Sequence, residues 1–183
     1  MTKIYLIRHG QTDFNLHRRY CGWTDIDLNN QGRLQAEKLV AQFETIDIDI
    51  VCASHLKRAV QTARIIFQHQ DLYLESDFAE MNFGILEGIT ADEAMAKFPD
   101  IYDTWVHSPW EVTLDAGESF QEFAQRVRRG FSLLLSRYKG KAIALVSHAG
   151  PIRLMLCDYF KRPQEDFWSI PQENGSVCMI EYE

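Results

Sequence analysis

Apolar positions in this chain follow two periods that take turns along its length. Residues 3–8, KIYLIR, form an almost unbroken apolar run and predict a short strand buried on both faces. From 31 to 43 the spacing becomes helical, with Ala36, Leu39, Val40 and Phe43 on one face and Asn29 placed as the N-cap. Residues 46–53, IDIDIVCA, alternate and then turn apolar, which predicts a second strand. Ser54 is the expected cap of a second helix, whose Leu56, Ala59, Val60, Ala63, Ile66 and Phe67 share a face. Another strand is predicted at 72–76. A long helix follows from 119 to about 138, opened by Ser119 with Glu122 three residues on, and it buries Phe123, Val127, Phe131 and Leu134 or Leu135. Residues 141–147, KAIALVS, read as a buried strand, and Pro151 stands where a first helical position is expected. A last strand is predicted at 176–182. Strands taking turns with helices predict an α/β protein, a three-layer sandwich around a largely parallel central sheet. No repeat, low-complexity tract or linker divides the chain, so residues 1–183 read as a single domain.

Composition narrows the function classes. A net charge of −7, with no basic face to offset it, argues against nucleic acid or an anionic membrane as partner. No apolar run reaches transmembrane length, and the first strand meets Arg8 too soon for a signal peptide. Cys21, Cys52, Cys157 and Cys178 form no C-x-x-C pair, so free thiols in a reducing cytoplasm are expected. His9, His17, His55, His69, His107 and His148 show no i, i+4 pair and no Cys at ligand spacing. No metal and no cofactor are expected. The sequence leaves oligomeric state open, and a homodimer is admitted.

Three predicted strands end in residues that a simple turn does not need. The first ends in Arg8-His9-Gly10, and the second leads into a helix with Arg58 in its first turn. The strand at 141–147 ends in Ser147-His148-Ala149-Gly150. Ligands in open α/β sheets bind beyond the carboxyl ends of strands, so these turns are expected to converge on one crevice. Two arginines, two histidines and two helix N-termini there would suit an anion such as phosphate. Taken singly, each has a plain alternative: a surface histidine, a solvated helix charge, a turn before a helix.

The motifs LIRHGQTDFN (6–15), ASHLKRAVQTA (53–63), EMNFGILEG (80–88) and ALVSHAGPIR (144–153) occur in that order. Together they resemble the histidine phosphatase superfamily, with its phosphoglycerate-mutase-like fold. The resemblance implies that His9 is a nucleophile forming a phosphohistidine and that Arg8, Arg58 and His148 hold the transferring phosphoryl group. It makes Glu80 the proton donor and adds phosphate contacts from Asn15 and the backbone near Gly10. Cys21-Gly22-Trp23 resembles the loop that follows the signature in the mutase branch, so Cys21 and Gly22 are expected at the substrate, with Ala149. Many members carry Gly where this chain has Ala149, and Gly alone adopts positive φ freely, which puts the local turn in question. The chemistry fits these residue types. A nucleophilic imidazole must be neutral, and nearby guanidiniums disfavour its protonated form. Fixed cations stabilise charge spread over three equatorial oxygens, and one carboxyl can protonate an alkoxide and then deprotonate water.

Residues 84–117 read as a small helical insert over the active site. Apart from His107 its one basic residue is Lys97, against Glu87, Asp92, Glu93, Asp100, Asp103, Glu111 and Asp115. A mutase must retain a bisphosphate and exclude water, so this acidic insert favours hydrolysis. The end of the chain at Glu183, directly after the last strand, is read in the same direction, because no tail is expected to close the site. Phe98, Tyr102, Trp105 and Trp110 either pack the insert onto the core or present a flat surface to the substrate. EMNFGILEGIT, Trp105 and GESFQEF most resemble the α-ribazole phosphatase branch. The expected substrate is therefore a small-molecule phosphomonoester, α-ribazole 5′-phosphate of cobalamin assembly. Phosphoglycerate mutase, phosphoprotein phosphatase and a non-catalytic phosphate-binding regulator are the alternatives.

Overall fold

Strand β1 (Thr2–Arg8) lies near the middle of a five-stranded sheet because its neighbours cover both its edges. The computed structural model describes residues 1–183. In chain order, β1 is followed by helices α1 (Asp13–Leu16) and α2 (Asn30–Phe43), strand β2 (Ile50–Ala53), helix α3 (Lys57–Ile66) and strand β3 (Leu72–Leu74). Short helices α4 (Ala91–Lys97) and α5 (Pro99–His107) occupy the insert. The long helix α6 (Phe120–Arg137), strand β4 (Ala142–Ser147), helix α7 (Ala149–Phe160) and strand β5 (Val177–Tyr182) complete the chain. The sheet order is β3-β2-β4-β1-β5, parallel throughout except for the antiparallel edge strand β5. No helix is long and apolar enough to cross a membrane.

The period of two sorts each strand's side chains between two cores. Ile4, Leu6, Cys52, Ile143 and Leu145 point into one, shared with α6, α7 and the insert. Ile7, Val51, Ala53, Ala144 and Val146 point into the other, against Ala36, Leu39 and Phe43 of α2 and Ala59, Ala63 and Ile66 of α3. The expected three-layer arrangement is thereby built. Register decides where its chemistry falls. Arg8 pairs with Ser147 and Ala53 with Val146, so β1, β2 and β4 end level with one another.

The predicted elements are present with four changes. The strand at 46–53 contracts to Ile50–Ala53, because Asp49 accepts from Ala142 N and Lys141 Nζ and ends the ladder there. The strand at 72–76 contracts to Leu72–Leu74. Ser54 does not cap a helix: α3 begins at Lys57 behind Leu56, which makes no side-chain cap, and Ser54 Oγ faces His148. Pro151 is the third residue of α7 rather than the first, since His148 is the N-cap. It stays within the first turn, where an N–H has no helical acceptor to lose. Asn29 and Ser119 cap α2 and α6 as predicted, Ser119 within a full capping box.

Candidate active site

The level ends of β1 and β4 put His9 and His148 side by side, with ring centroids 5.0 Å apart. Both are buried. Burial holds the His9 imidazole well below its ordinary protonation range, and the Arg58 and Arg8 guanidiniums push the same way. His9 Nδ1 lies 2.7 Å from Gly10 O. A carbonyl only accepts, so Nδ1 carries the proton and Nε2 keeps a free lone pair. The turn that creates this bond needs a bare backbone, because a Cβ on Gly10 would collide with Gly32 at the start of α2.

His148 is neutral for the same reasons, burial first and then Arg58. Arg58 Nε donates to its Nδ1 at 3.2 Å, so Nε2 carries the proton and donates to Ser54 Oγ at 2.8 Å. Arg58 is fully buried and donates also to the carbonyls of Thr24 (3.0 Å), Cys21 (3.3 Å) and Gly22 (2.6 Å). The loop offering those carbonyls is stapled by Glu87, which accepts from Gly22 N, Trp23 N, Thr24 N and Thr24 Oγ1.

A cavity of about 170 Å³ opens over these groups. Arg8, His9, Asn15, Cys21, Glu80, Ala149 and Gly150 line it. Arg8 Nη1 donates to Gln172 O, while its buried Nε has no partner. Desolvation lowers this guanidinium to about 10, against the opposing pull of Glu80. Asn15 Oδ1 accepts from Thr12 N, Thr12 Oγ1 and Asn174 Nδ2, which leaves its NH₂ group without a protein acceptor. Two sets of unspent donors thus belong to side chains of one cavity, as an anion requires.

Glu80 is buried and held by backbone amides, Oε1 by Met81 N at 3.0 Å and Oε2 by Gly150 N at 3.1 Å in the first turn of α7. A Cβ on Gly150 would collide with Glu80 Oε1, so only glycine lets the carboxylate reach that amide. The Glu80 carbonyl accepts from Trp23 Nε1 and Arg126 Nη2, and Arg126 is fixed by its 2.6 Å ion pair with Glu118.

The expected site residues divide accordingly. Arg8, His9, Asn15, Cys21, Glu80 and Ala149 meet at the cavity. Arg58 and His148 are fully buried next to His9 and do not line the cavity, and both His148 nitrogens are engaged by protein partners. Gly10 and Gly22 do not line the cavity either: Gly10 N donates to Thr62 Oγ1, and Gly22 serves Arg58 and Glu87 through its backbone. Ala149 has helical backbone, which explains why a methyl is accepted. His17 and His55 are exposed and stand outside the site. The insert backs the cavity rather than lining it. Its Trp105 is buried and meets Phe83 and Trp168, both cavity residues, edge-on at 5.8 Å. The flat surfaces come instead from Tyr20, Phe83, Phe123, Phe167 and Trp168. Sequence reasoning also missed Arg153. It lies three residues beyond Gly150 on α7, a spacing that places both on one face. The larger groove lined by Trp110, Phe120, Arg128 and Arg129 has no nucleophile, and its arginines are paired with Asp158 and Asp77.

The family model described as Histidine phosphatase superfamily (branch 1) matches residues 4–183. The chain is 31% identical to phosphoserine phosphatase 1 of Hydrogenobacter thermophilus, over 100% of this chain and 88% of that one. It is 30% identical to the adenosylcobalamin/alpha-ribazole phosphatase of Escherichia coli, over 98% of this chain and 89% of that one. Among solved structures, Bacillus stearothermophilus YhfR superposes with a TM-score of 0.93 at 28% identity, covering 100% of this chain and 92% of its own.

Proposed function

This chain belongs to branch 1 of the histidine phosphatase superfamily and is a phosphatase, and from that premise we propose that it hydrolyses a small-molecule phosphomonoester through a phosphohistidine at His9. The observation that carries the proposal is the state of His9: buried, neutral, with Nδ1 committed to Gly10 O and Nε2 free. The phosphate docks on Arg8 Nε and the Asn15 amide, which have no other acceptor. His9 Nε2 forms the P–N bond as the ester P–O bond breaks, and Glu80 serves as the acid that delivers a proton to the leaving oxygen. Water then attacks phosphorus, Glu80 takes the water's proton, and the P–N bond breaks to release phosphate. Arg8 at the cavity and Arg58 behind His9 supply positive charge as negative charge spreads over the equatorial oxygens.

For the organic part of the substrate we propose a flat aromatic body, with α-ribazole 5′-phosphate as its representative. The aromatic walls at Tyr20, Phe83, Phe123, Phe167 and Trp168 support this. One observation favours a second reading. Arg153 lines the cavity, donates Nε to Ile170 O at 2.9 Å, lies 5.6 Å over the Trp168 ring, and has no carboxylate within ion-pair distance. Such a cation suits a carboxylate on a compact substrate, as in O-phosphoserine.

Phosphorus NMR in EDTA separates these readings, with α-ribazole 5′-phosphate, O-phosphoserine and 3-phosphoglycerate run in parallel on wild type and His9→Ala. Phosphate released fastest from the ribazole ester, and only by wild type, is the expected result. Preference for phosphoserine would transfer the substrate assignment to the second reading. Isomerisation of 3-phosphoglycerate would replace hydrolysis with mutase chemistry.

A further inference from the structure

The loop between the 3-10 helix Gln164–Ser169 and β5 makes more bonds to the Arg8-His9-Gly10 turn than any motif foretells. Gln172 O accepts from Arg8 Nη1, and Ser176 O accepts from Arg8 N at 3.0 Å. Gly175 N donates to Arg8 O at 3.1 Å and His9 O at 3.2 Å. Asn174 Nδ2 joins two separate pieces, donating to His9 O at 3.1 Å and to Asn15 Oδ1 at 3.1 Å.

We propose that Asn174 is a positioning residue for the phosphate: by tying the Asn15 amide to the backbone of His9, it holds a phosphate donor in register with the nucleophile. This rests on the phosphatase reading of the site. The need for such a tie follows from the position of Asn15. It sits on α1, a helix of four residues with no buried side chain, too short to hold itself. The Thr12 capping box decides which end of the amide faces inward, because Oδ1 receives both Thr12 N and Thr12 Oγ1. Those bonds are local and move with the turn. The bond from Asn174 is the one that fixes the amide to the end of β1. With Oδ1 accepting three bonds, the NH₂ group is directed away from the protein's own donors.

The test is a double-mutant cycle read by orthovanadate inhibition of p-nitrophenyl phosphate hydrolysis, using wild type, Asn174→Ala, Asn15→Ala and the double variant. Asn174→Ala is expected to raise the vanadate inhibition constant by about five- to tenfold, the effect of a net hydrogen bond. In the Asn15→Ala background the same change is expected to have almost no further effect. Asn174→Ser, which keeps a shorter donor, should recover part of the loss, and it stands in for the alanine variant should that fail to fold. An unchanged inhibition constant in Asn174→Ala, or losses that simply add in the double variant, would overturn the proposal while leaving the phosphatase reading intact. A wild type that hydrolyses no phosphomonoester at all would overturn both.

Discussion

His9 and His148 are held neutral in the folded chain, while a free imidazole takes up its proton near pH 6.5. The unfolded chain therefore binds more protons than the folded one below about pH 6.5, and stability falls as pH drops through that range. Each buried histidine contributes a slope of at most about 1.4 kcal/mol per pH unit, fully relieved above the ordinary imidazole range. Urea unfolding between pH 7.5 and 5 should show this loss, and His9→Asn should remove one histidine's share of it. A flat profile in both proteins would contradict the assigned protonation states. Gly150 carries a second prediction at this scale. Adding a Cβ drives Glu80 from its amide, so Gly150→Ala should lower turnover of alkyl phosphates about 10²- to 10³-fold, the usual worth of a positioned acid. Hydrolysis of p-nitrophenyl phosphate, whose leaving group needs no proton, should fall much less. Equal losses on both substrates would assign Gly150 a packing role alone.

Among the elements, the insert does work that its acidic surface conceals. Tyr102 and Trp105 of α5 are buried, and Trp105 supports Phe83 and Trp168 from behind. Trp105→Ala should therefore cost about 3–5 kcal/mol of stability, measured by urea unfolding. It should also raise KM for a substrate with a large body more than for p-nitrophenyl phosphate. Unchanged unfolding and an unchanged KM ratio would show that α5 does not support the cavity wall. The strands and long helices were legible because burial marks them, as an apolar run where both faces are covered in β1 and β4 and as a helical stripe where one face is covered in α6. Convergence of Arg8, His9 and His148 was legible from the parallel-sheet rule, since strand ends need only their order in the sheet. Ser54 and Pro151 were misplaced because their expected helix starts compete with tertiary bonds: Ser54 serves His148, and α7 begins directly from β4. Asn174 and Trp168 left no periodic mark, because their partners are remote in sequence.

On the scale of the whole molecule, a chain of net charge −7 concentrates cations at one crevice. Arg8 and Arg153 line it and Arg58 lies behind, with Glu80 as the buried acid among them. A net negative charge discourages broad polyanion binding, while the arginines at this crevice favour a small anion there. The proposed reaction turns on one atom there, His9 Nε2, and the most direct measurement is to trap the phosphoryl enzyme. Wild type and His9→Ala would be mixed with substrate in EDTA, quenched in base within milliseconds, and digested for mass spectrometry and phosphorus NMR. Wild type should carry an acid-labile phosphoryl group on Nε2 of His9 that decays to free phosphate, and His9→Ala should carry none. A phosphoryl group on another residue or on Nδ1, or hydrolysis that persists in His9→Ala, would contradict it.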